Sequence, residues 1–189
     1  MQSALDLFYQ KGYSKTTFDE IALRIGLTKG AVYWHFKNKP DLVAALINDY
    51  VVRKQLYLQK KVPTLNNFKD IEAYFLSSAD FILNNPNAFK LAFFLKLQME
   101  WSEAIITKVT EKISQNIQYS FEYIKNGLIN MQKNGEINNN INAELLASTI
   151  ISWWLGCLEN YLNKICPIDL KEMLKQSFEL LLNGLKRKD

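Results

Sequence analysis

The stretch TFDEIALRIGLTKGAVYWHFKNK, which begins at Thr17, constrains the fold of this chain most, because it specifies two short helices joined by a tight turn. Thr17 followed three residues later by Glu20 is typical of a capping box, in which each side chain satisfies a free backbone N–H at a helix start. Gly26 ends the first helix, since glycine adopts the left-handed conformation of a C-terminal cap at little cost. Thr28 can cap a second helix. The spacing therefore predicts a helix-turn-helix.

Both helices have an apolar face, and the second also has an unusual polar one. The first should bury residues that recur at three- and four-residue steps, namely Phe18, Ile21, Ala22 and Ile25. The second runs to about Phe36, and its packing side holds Ala31, Val32 and Phe36, whereas its other side holds Lys29, Gly30, Tyr33 and Trp34. Tyrosine and tryptophan on a solvent face leave apolar surface in water unless a partner covers it. A helix of this size fits the major groove of DNA. An ordinary helical hairpin with a few exposed aromatic side chains is the alternative.

Five short motifs give this region a family resemblance. They are LF at 7–8, GY at 12–13, TTFDEIA at 16–22, GLTKGAVYWHFKNK at 26–39 and the following Leu42. Together they resemble the DNA-binding domain of the TetR family of one-component bacterial repressors. The segment GAVYWHF is similar to the corresponding sequence in the branch that represses multidrug efflux pumps. The resemblance covers about residues 4 to 47, and beyond residue 50 it is only architectural. Family members usually carry a basic arm before the first helix, whereas this chain begins MQSALDLF.

The resemblance implies a role for each matching residue. Thr17 would contact a DNA phosphate at the start of its helix, and Lys39 would hold another at the start of the fourth helix. The DNA-facing surface would consist of Thr28, Lys29, Gly30, Tyr33, Trp34 and His35. For His35 the helical periodicity favours the buried side, so a neutral, packed histidine is the alternative to a phosphate contact.

Length and charge divide the chain into two parts. A chain of 189 residues accommodates a DNA-binding module at residues 1–45 and a helical ligand-binding and dimerisation domain at residues 46–189. Residues 1–61 carry a net charge of +5 and the rest −1, which places the positive excess where phosphates would bind. Because no apolar run is long enough for a membrane span, we expect a cytoplasmic protein with no membrane partner. Cys157 and Cys166 are expected to be packed thiols rather than a disulfide.

The remaining sequence predicts helices with clear ends, for an all-α fold of about nine helices. The fourth begins at Pro40 and ends near Pro63, and the fifth runs from Phe68 to Leu83. The later helices are predicted at about 87–100, 102–134, 142–164 and 169–184.

The last two helices are apolar over wide faces, more than one domain core requires. In the TetR family these helices pair with their copies in a four-helix homodimer interface, and a glycine would allow close approach there. The predicted interface residues are Trp154, Gly156, Leu158, Phe178, Leu181 and Leu185. A purely internal core is the alternative.

The middle of the chain is rich in aromatic residues, which suits an apolar ligand pocket. Its predicted lining is Phe75, Phe93, Leu97, Trp101, Tyr119, Glu122, Tyr123 and Trp153. Carboxylates among aromatic rings, at Glu100, Glu122 and Glu159, make a lipophilic cation one candidate inducer. Core packing and solvated glutamates are the alternatives.

These observations predict a ligand-responsive regulator that a small lipophilic inducer releases from a palindromic double-stranded DNA operator. A nucleoid-associated or cell-division factor on the same fold is a second hypothesis. An enzyme is disfavoured, because His35 is the only histidine and the sequence has no Gly-rich phosphate loop and no clustered metal ligands. A carboxylate-only enzyme stays open. No cofactor or metal is expected.

Overall fold

The chain folds into helices throughout the part that the structure describes. The computed structural model describes residues 1–99 and 103–185. Its helices are α1 (Gln2–Lys11), α2 (Phe18–Arg24), α3 (Lys29–His35), α4 (Lys39–Lys61), α5 (Phe68–Leu83), α6 (Pro86–Phe93), α7 (Glu103–Lys133), α8 (Ala143–Leu162) and α9 (Leu170–Leu185). None of these residues lies in a β-strand, which confirms the all-α class. Within the same residues, no helix combines the length and the apolar character needed to cross a bilayer.

Side-chain caps set several of the predicted helix ends. The Asn142 side chain accepts hydrogen bonds from two backbone N–H groups at the start of α8, at 2.9 and 3.0 Å. Asp169 caps α9 in the same way, at 2.8 and 3.3 Å. Asn85 caps α6, and Pro86 occupies its first turn, where a missing N–H costs nothing. These caps explain why local sequence was enough to place the helix starts.

The prediction of one helix over residues 87–100 was wrong at its end. The α-helix stops at Phe93, and a π-helical turn, Phe94–Gln98, follows it. Met99 is then extended, at φ −77° and ψ 121°. A π turn is wider than an α turn because its hydrogen bonds span one more residue, and such turns frequently mark functional sites.

The predicted burial of Ile25 was also wrong, since 42% of this residue is exposed. Ile25 is the C-cap residue of α2, with φ −105° and ψ 5°. It therefore lies past the last regular turn, where the helical periodicity no longer points its side chain toward the buried face.

The contacts divide the chain into two compact units, of which the first comprises residues 1–53 and 82–116. Its core forms around Phe8, which is fully buried and stacks on Tyr13 at 5.8 Å and on Phe94 at 5.0 Å between ring centroids. Asp6 of α1 forms an ion pair with Lys90 of α6. The helix-turn-helix thus shares a core with α6 and its π turn.

The second unit comprises residues 54–81 and 117–189. Its aromatic centre is Trp153, whose ring lies 5.4 Å from the rings of both Phe75 and Phe178. The indole N–H of Trp153 donates to the Ser177 hydroxyl at 2.8 Å, so the polar edge of this ring is satisfied. The predicted domains, for DNA binding at residues 1–45 and for ligand binding and dimerisation at 46–189, were defined by function. Contacts within the chain do not test them, so this division stays a prediction.

Gly127 allows α7 to pack closely on Leu65 in the second unit. A Cβ at this buried position of α7 would lie 2.6 Å from Leu65 Cβ and 3.3 Å from the Leu65 carbonyl oxygen. We expect Gly127→Ala to lower the free energy of unfolding by about 1–3 kcal/mol, because backbone must move to relieve the overlap. Chemical denaturation measures the change.

The matched control is Asn126→Ala, at the neighbouring exposed position of the same helix. It should leave stability unchanged or raise it by a few tenths of a kcal/mol, since alanine favours helix. Equal stability of the Gly127→Ala protein and the wild type would contradict the close packing of α7 on Leu65.

Candidate nucleic-acid interface

The start of α2 is fixed by a complete capping box. The Thr17 hydroxyl accepts from the Glu20 N–H at 3.3 Å, and the Glu20 carboxylate accepts from the Thr17 N–H at 3.0 Å. Lys11 also pairs with Glu20. The hydrogen bond from Lys11 and those from Thr17 lower the pKa of Glu20, so the cap is fully ionised at neutral pH. The predicted box is confirmed.

The turn between α2 and α3 is a Schellman motif. The Leu27 N–H donates to the Ala22 carbonyl at 3.0 Å, and the Gly26 N–H donates to the Leu23 carbonyl at 3.2 Å. Gly26 has φ +68°, a left-handed conformation that glycine adopts without a Cβ penalty. Thr28 then caps α3 by accepting from the Ala31 N–H at 3.3 Å. Residues 22–31 therefore determine the direction of α3 relative to α2 through local hydrogen bonds.

The α3 helix exposes a largely aromatic face. Trp34 is 82% exposed and Tyr33 48%, whereas Val32 is buried against the rest of the first unit. The Tyr33 ring meets the Phe18 ring edge-on at 4.8 Å, which holds it in one orientation. The two-faced helix predicted from the sequence is confirmed.

Lys29 of α3 is paired within the chain. Its ammonium lies 2.8 Å from the Asp19 carboxylate, and both side chains are more than half exposed. It also lies 5.9 Å from the centre of the Tyr33 ring. The hydrogen bond from Asp19 raises the pKa of Lys29, so Lys29 carries its charge at neutral pH but shares it with a neighbouring carboxylate.

A cleft of about 390 Å³ lies beside the exposed face of α3. Its walls come from the start of α2, from α3 and from the start of α4, with the residues just before α2 and α4: Thr16, Thr17, Phe18, Asp19, Tyr33, Lys37, Asn38 and Lys39. The cleft combines two lysines with hydroxyl and amide groups, which are the donors that bind phosphate oxygens. Asp19 is its one carboxylate among these lining residues.

Lys39 is held by the loop that follows α1. Its ammonium donates to the Tyr13 carbonyl at 2.9 Å and to the Ser14 carbonyl at 3.4 Å, and it lies 4.3 Å from the centre of the Tyr13 ring. Burial raises the pKa of Tyr13 to about 12, so the phenol under this ammonium stays neutral. Lys39 thereby fixes one wall of the cleft.

The alternative of a packed, buried His35 was wrong, because His35 is exposed. It is the last residue of α3, and Phe36 after it is extended at φ −135° and ψ 119°. The His35 ring lies edge-on to the Trp34 ring at 4.7 Å. It therefore borders the same exposed face as Trp34.

Sequence reasoning missed five lining residues of the cleft, of which Phe18 and Asp19 belong to α2 and three others lie outside it. Thr16 is fully buried, and its hydroxyl donates to the Gly12 carbonyl at 2.9 Å. Asn38 caps α4 by accepting from the Asp41 N–H at 2.9 Å. Lys37 is exposed beside it. The run of lysine, asparagine and lysine at 37–39 was the available signal, since it follows the second helix immediately.

The predicted ligand-pocket residues fall into both units. In the second unit, rings contact one another along a chain from Trp153 to Phe75 (5.4 Å) and through Tyr74 to Tyr123 (5.5 Å); Tyr119 stacks on Tyr123 at 6.4 Å. The first unit holds Phe93 and Leu97, which are half-buried. Trp101 lies outside the described residues, as does Glu100 of the cation hypothesis.

The carboxylates of that hypothesis that are described lie near the surface. Glu122 forms an ion pair with Lys125 at 2.8 Å, so its charge is already compensated. Glu159 is exposed on α8. Both observations reduce the support for a cationic ligand at these two positions.

Three of the predicted interface residues are packed inside their own chain. Trp154, Leu158 and Phe178 are buried, and only 1% of Phe178 is exposed. Leu181 is half-buried, and the side chain of Leu185 lies outside the described part. Gly156 is exposed, and nothing lies within 4 Å of the position that a Cβ would occupy. On α8, Gly156 thus marks a surface open to a partner.

Comparison with known sequences gives a match at the N-terminal end and a weaker one along the chain. Residues 1–46 match the family described as bacterial regulatory proteins, tetR family. The transposon Tn10 TetC protein of Escherichia coli is 29% identical over 139 residues, which cover 67% of this chain and 71% of that protein. The probable acrEF/envCD operon repressor of E. coli K12 is 25% identical over 190 residues, which cover 98% and 83%.

Comparison with solved structures shows the same fold over the entire chain. NalD, the secondary repressor of the MexAB-OprM multidrug efflux pump in Pseudomonas aeruginosa, superposes with a TM-score of 0.83 at 20% identity, over 100% of this chain and 96% of NalD. A SmeT–triclosan complex gives 0.81 at 21% identity, over 98% and 89%. The family match thus covers the helix-turn-helix at residues 1–46, and the likeness to solved structures shows a shared fold along the chain.

Proposed function

We propose that this chain is a repressor that reads its operator with the exposed face of α3 and grips the DNA backbone with the adjoining cleft. The observation behind the proposal is the exposure of Tyr33 and Trp34 on a capped, well-packed helix beside a cleft that holds Lys37 and Lys39. Adjacent exposed aromatic side chains form an apolar patch of the kind that marks an interaction surface, and the lysines supply the charge that phosphates attract.

The division of labour follows from the chemistry of each group. Thr17, Lys37 and Lys39 bind phosphates and set the register of the protein on the duplex. The surface of α3 meets base edges and the sugar–phosphate walls of the major groove through Thr28, Lys29, Gly30, Tyr33, Trp34 and His35. Gly30 has only the Thr28 hydroxyl within 4 Å of an added Cβ, so at this point the backbone itself can approach DNA closely.

The repressor acts as a homodimer in this proposal, because two copies of α3 can read the two halves of a palindromic operator. Gly156 lies at the centre of the pairing surface, between the exposed residues Ser152 and Asn160 one turn to either side on α8. The buried residues Trp154, Leu158 and Phe178 support that surface from inside the chain.

A small lipophilic ligand relieves repression in this proposal, as the fold shared with triclosan-bound SmeT suggests. Within the first unit, the segment formed by α6 with Phe93 and the π turn with Leu97 packs directly on α1. The Phe93 ring lies 5.2 Å from the Tyr9 ring. Movement of this segment when the ligand binds would shift α1 and the helix-turn-helix packed on it. Such coupling must be reciprocal: ligand weakens DNA binding by the factor by which DNA weakens ligand binding.

Fluorescence anisotropy on duplex DNA from immediately upstream of the gene, compared with scrambled DNA, tests the DNA-binding proposal. We expect Tyr33→Ala to weaken specific binding at least about tenfold, because it removes a hydrogen bond to a charged phosphate together with the ring packed on Phe18. Leu56→Ala, which trims another exposed apolar side chain, on α4, should leave the affinity unchanged. Equal affinity of the Tyr33→Ala and wild-type proteins would rule out this face of α3.

The ion pair at the DNA-facing surface generates a second prediction. Asp19→Asn releases Lys29 and removes a negative charge from the cleft, so we expect DNA affinity at low salt to rise about two- to fivefold. The gain should appear on scrambled DNA as well, because phosphate contacts do not depend on sequence.

Asp49→Asn is the matched control, since it makes the same charge change at an ion pair with Arg53 on α4. Asp49→Asn should not produce the rise in DNA affinity that we expect for Asp19→Asn. A loss of specific affinity on Asp19→Asn would show instead that the Asp19 carboxylate accepts a hydrogen bond from a base.

A further inference from the structure

Lys54 of α4 is the one charged residue among the buried residues that the structure describes, with 7% of its surface exposed. The other two buried polar side chains are satisfied, since Thr16 and Ser78 each donate to a backbone carbonyl at 2.9 Å. No described residue forms a hydrogen bond or an ion pair with the Lys54 ammonium. Burial alone lowers its pKa to about 8. The ammonium therefore keeps only slight contact with water, and no described residue compensates its charge.

Such an arrangement is costly for the free protein. A buried charge loses its hydration and normally regains the free energy through an ion pair or several hydrogen bonds. A leucine or methionine at this position would fill the same space without that loss. The lysine is consistent with a site in which the counter-charge comes from outside the chain.

The residues that share the helix face of Lys54 in the second unit are apolar and aromatic. Tyr57 and Leu58 follow it by three and four residues on α4, so they share its helix face. Leu58 is buried, and the Tyr57 ring lies 5.5 Å from the Phe81 ring of α5. The acidic residue next to Phe81, Asp80, forms an ion pair with Lys171 of α9. The face that bears the ammonium thus offers apolar contact for the body of a ligand.

We infer that Lys54 binds the acidic group of the regulatory ligand, which is a lipophilic carboxylic acid whose apolar body lies against the aromatic side chains of the second unit. This inference rests on the proposed ligand response and narrows its chemistry from a general lipophilic molecule to an anion. A charge-assisted hydrogen bond from a lysine to a carboxylate in apolar surroundings is stronger than one between neutral groups. A lipophilic cation would be repelled at the same place.

Three probes with one chain length test the inference by isothermal titration calorimetry: dodecanoate, dodecanol and dodecyltrimethylammonium, each below its micellar concentration. They share a twelve-carbon chain, and their head groups are anionic, neutral and cationic respectively. We expect the full-length wild-type protein to bind dodecanoate about tenfold or more tightly than dodecanol, and the cation no better than the alcohol. Lys54→Met keeps an unbranched apolar side chain and should abolish the preference for the acid. It should also raise the melting temperature, because it removes the buried charge.

Lys60→Met is the matched control, since Lys60 is exposed on the same helix; it should retain the preference. Failure of dodecanoate to bind, equal affinity of the wild type for the acid and the alcohol, or survival of the preference in Lys54→Met would overturn the assignment. The DNA affinity measured with and without bound dodecanoate is a separate readout. Binding through Lys54 that leaves the DNA affinity unchanged would uphold the acid site and contradict the proposed ligand response.

Discussion

The stacking of Phe8 between Tyr13 and Phe94 is the contact on which the DNA-binding end of the molecule depends. Helices α1, α2 and α3 have 10, 7 and 7 residues, and helices this short are not stable alone in water. Their order therefore comes from burial around Phe8. Tyr13 also fixes the position of Lys39, because the Lys39 ammonium lies over the Tyr13 ring and donates to the Tyr13 carbonyl. One aromatic cluster thus holds α1, the π turn after α6 and a wall of the cleft together.

Electrostatics and burial then separate two kinds of positive charge. Lys37 is exposed at the cleft, and Lys39 beside it is held by backbone carbonyls, so both charges line a surface that a phosphate can reach. The Asp19 carboxylate partly offsets the charge of Lys29, so the DNA-facing surface is less positive than its lysines alone would make it. Lys54 is largely buried and no described residue pairs with it, so solvent offsets its charge much less. The accessible lysines suit an extended polyanion, whereas the buried one suits a small acid.

Local sequence predicted the parts of the fold that local interactions determine. The capping box at Thr17, the glycine turn and the cap at Thr28 each act within a few residues, and the helix-turn-helix follows from them. The π turn at 94–98 and the exposed Ile25 were missed because helical periodicity assumes a regular α-helix to its end. The cleft joins residues 16–19 to residues 37–39, and its shape depends on tertiary packing. Nothing in the helical pattern distinguishes Lys54 from the solvated lysines of α4, so its burial required the structure.

The central claim is that the exposed face of α3 and the adjoining cleft form the surface that binds DNA. Hydrogen–deuterium exchange of the full-length protein, free and bound to its upstream DNA, tests this claim most directly. We predict slower exchange on DNA binding in peptides that cover residues 16–20 and 28–39. Exchange in peptides from α9 should remain unchanged. Unchanged exchange at residues 28–39, with protection elsewhere on a surface of the second unit, would contradict it.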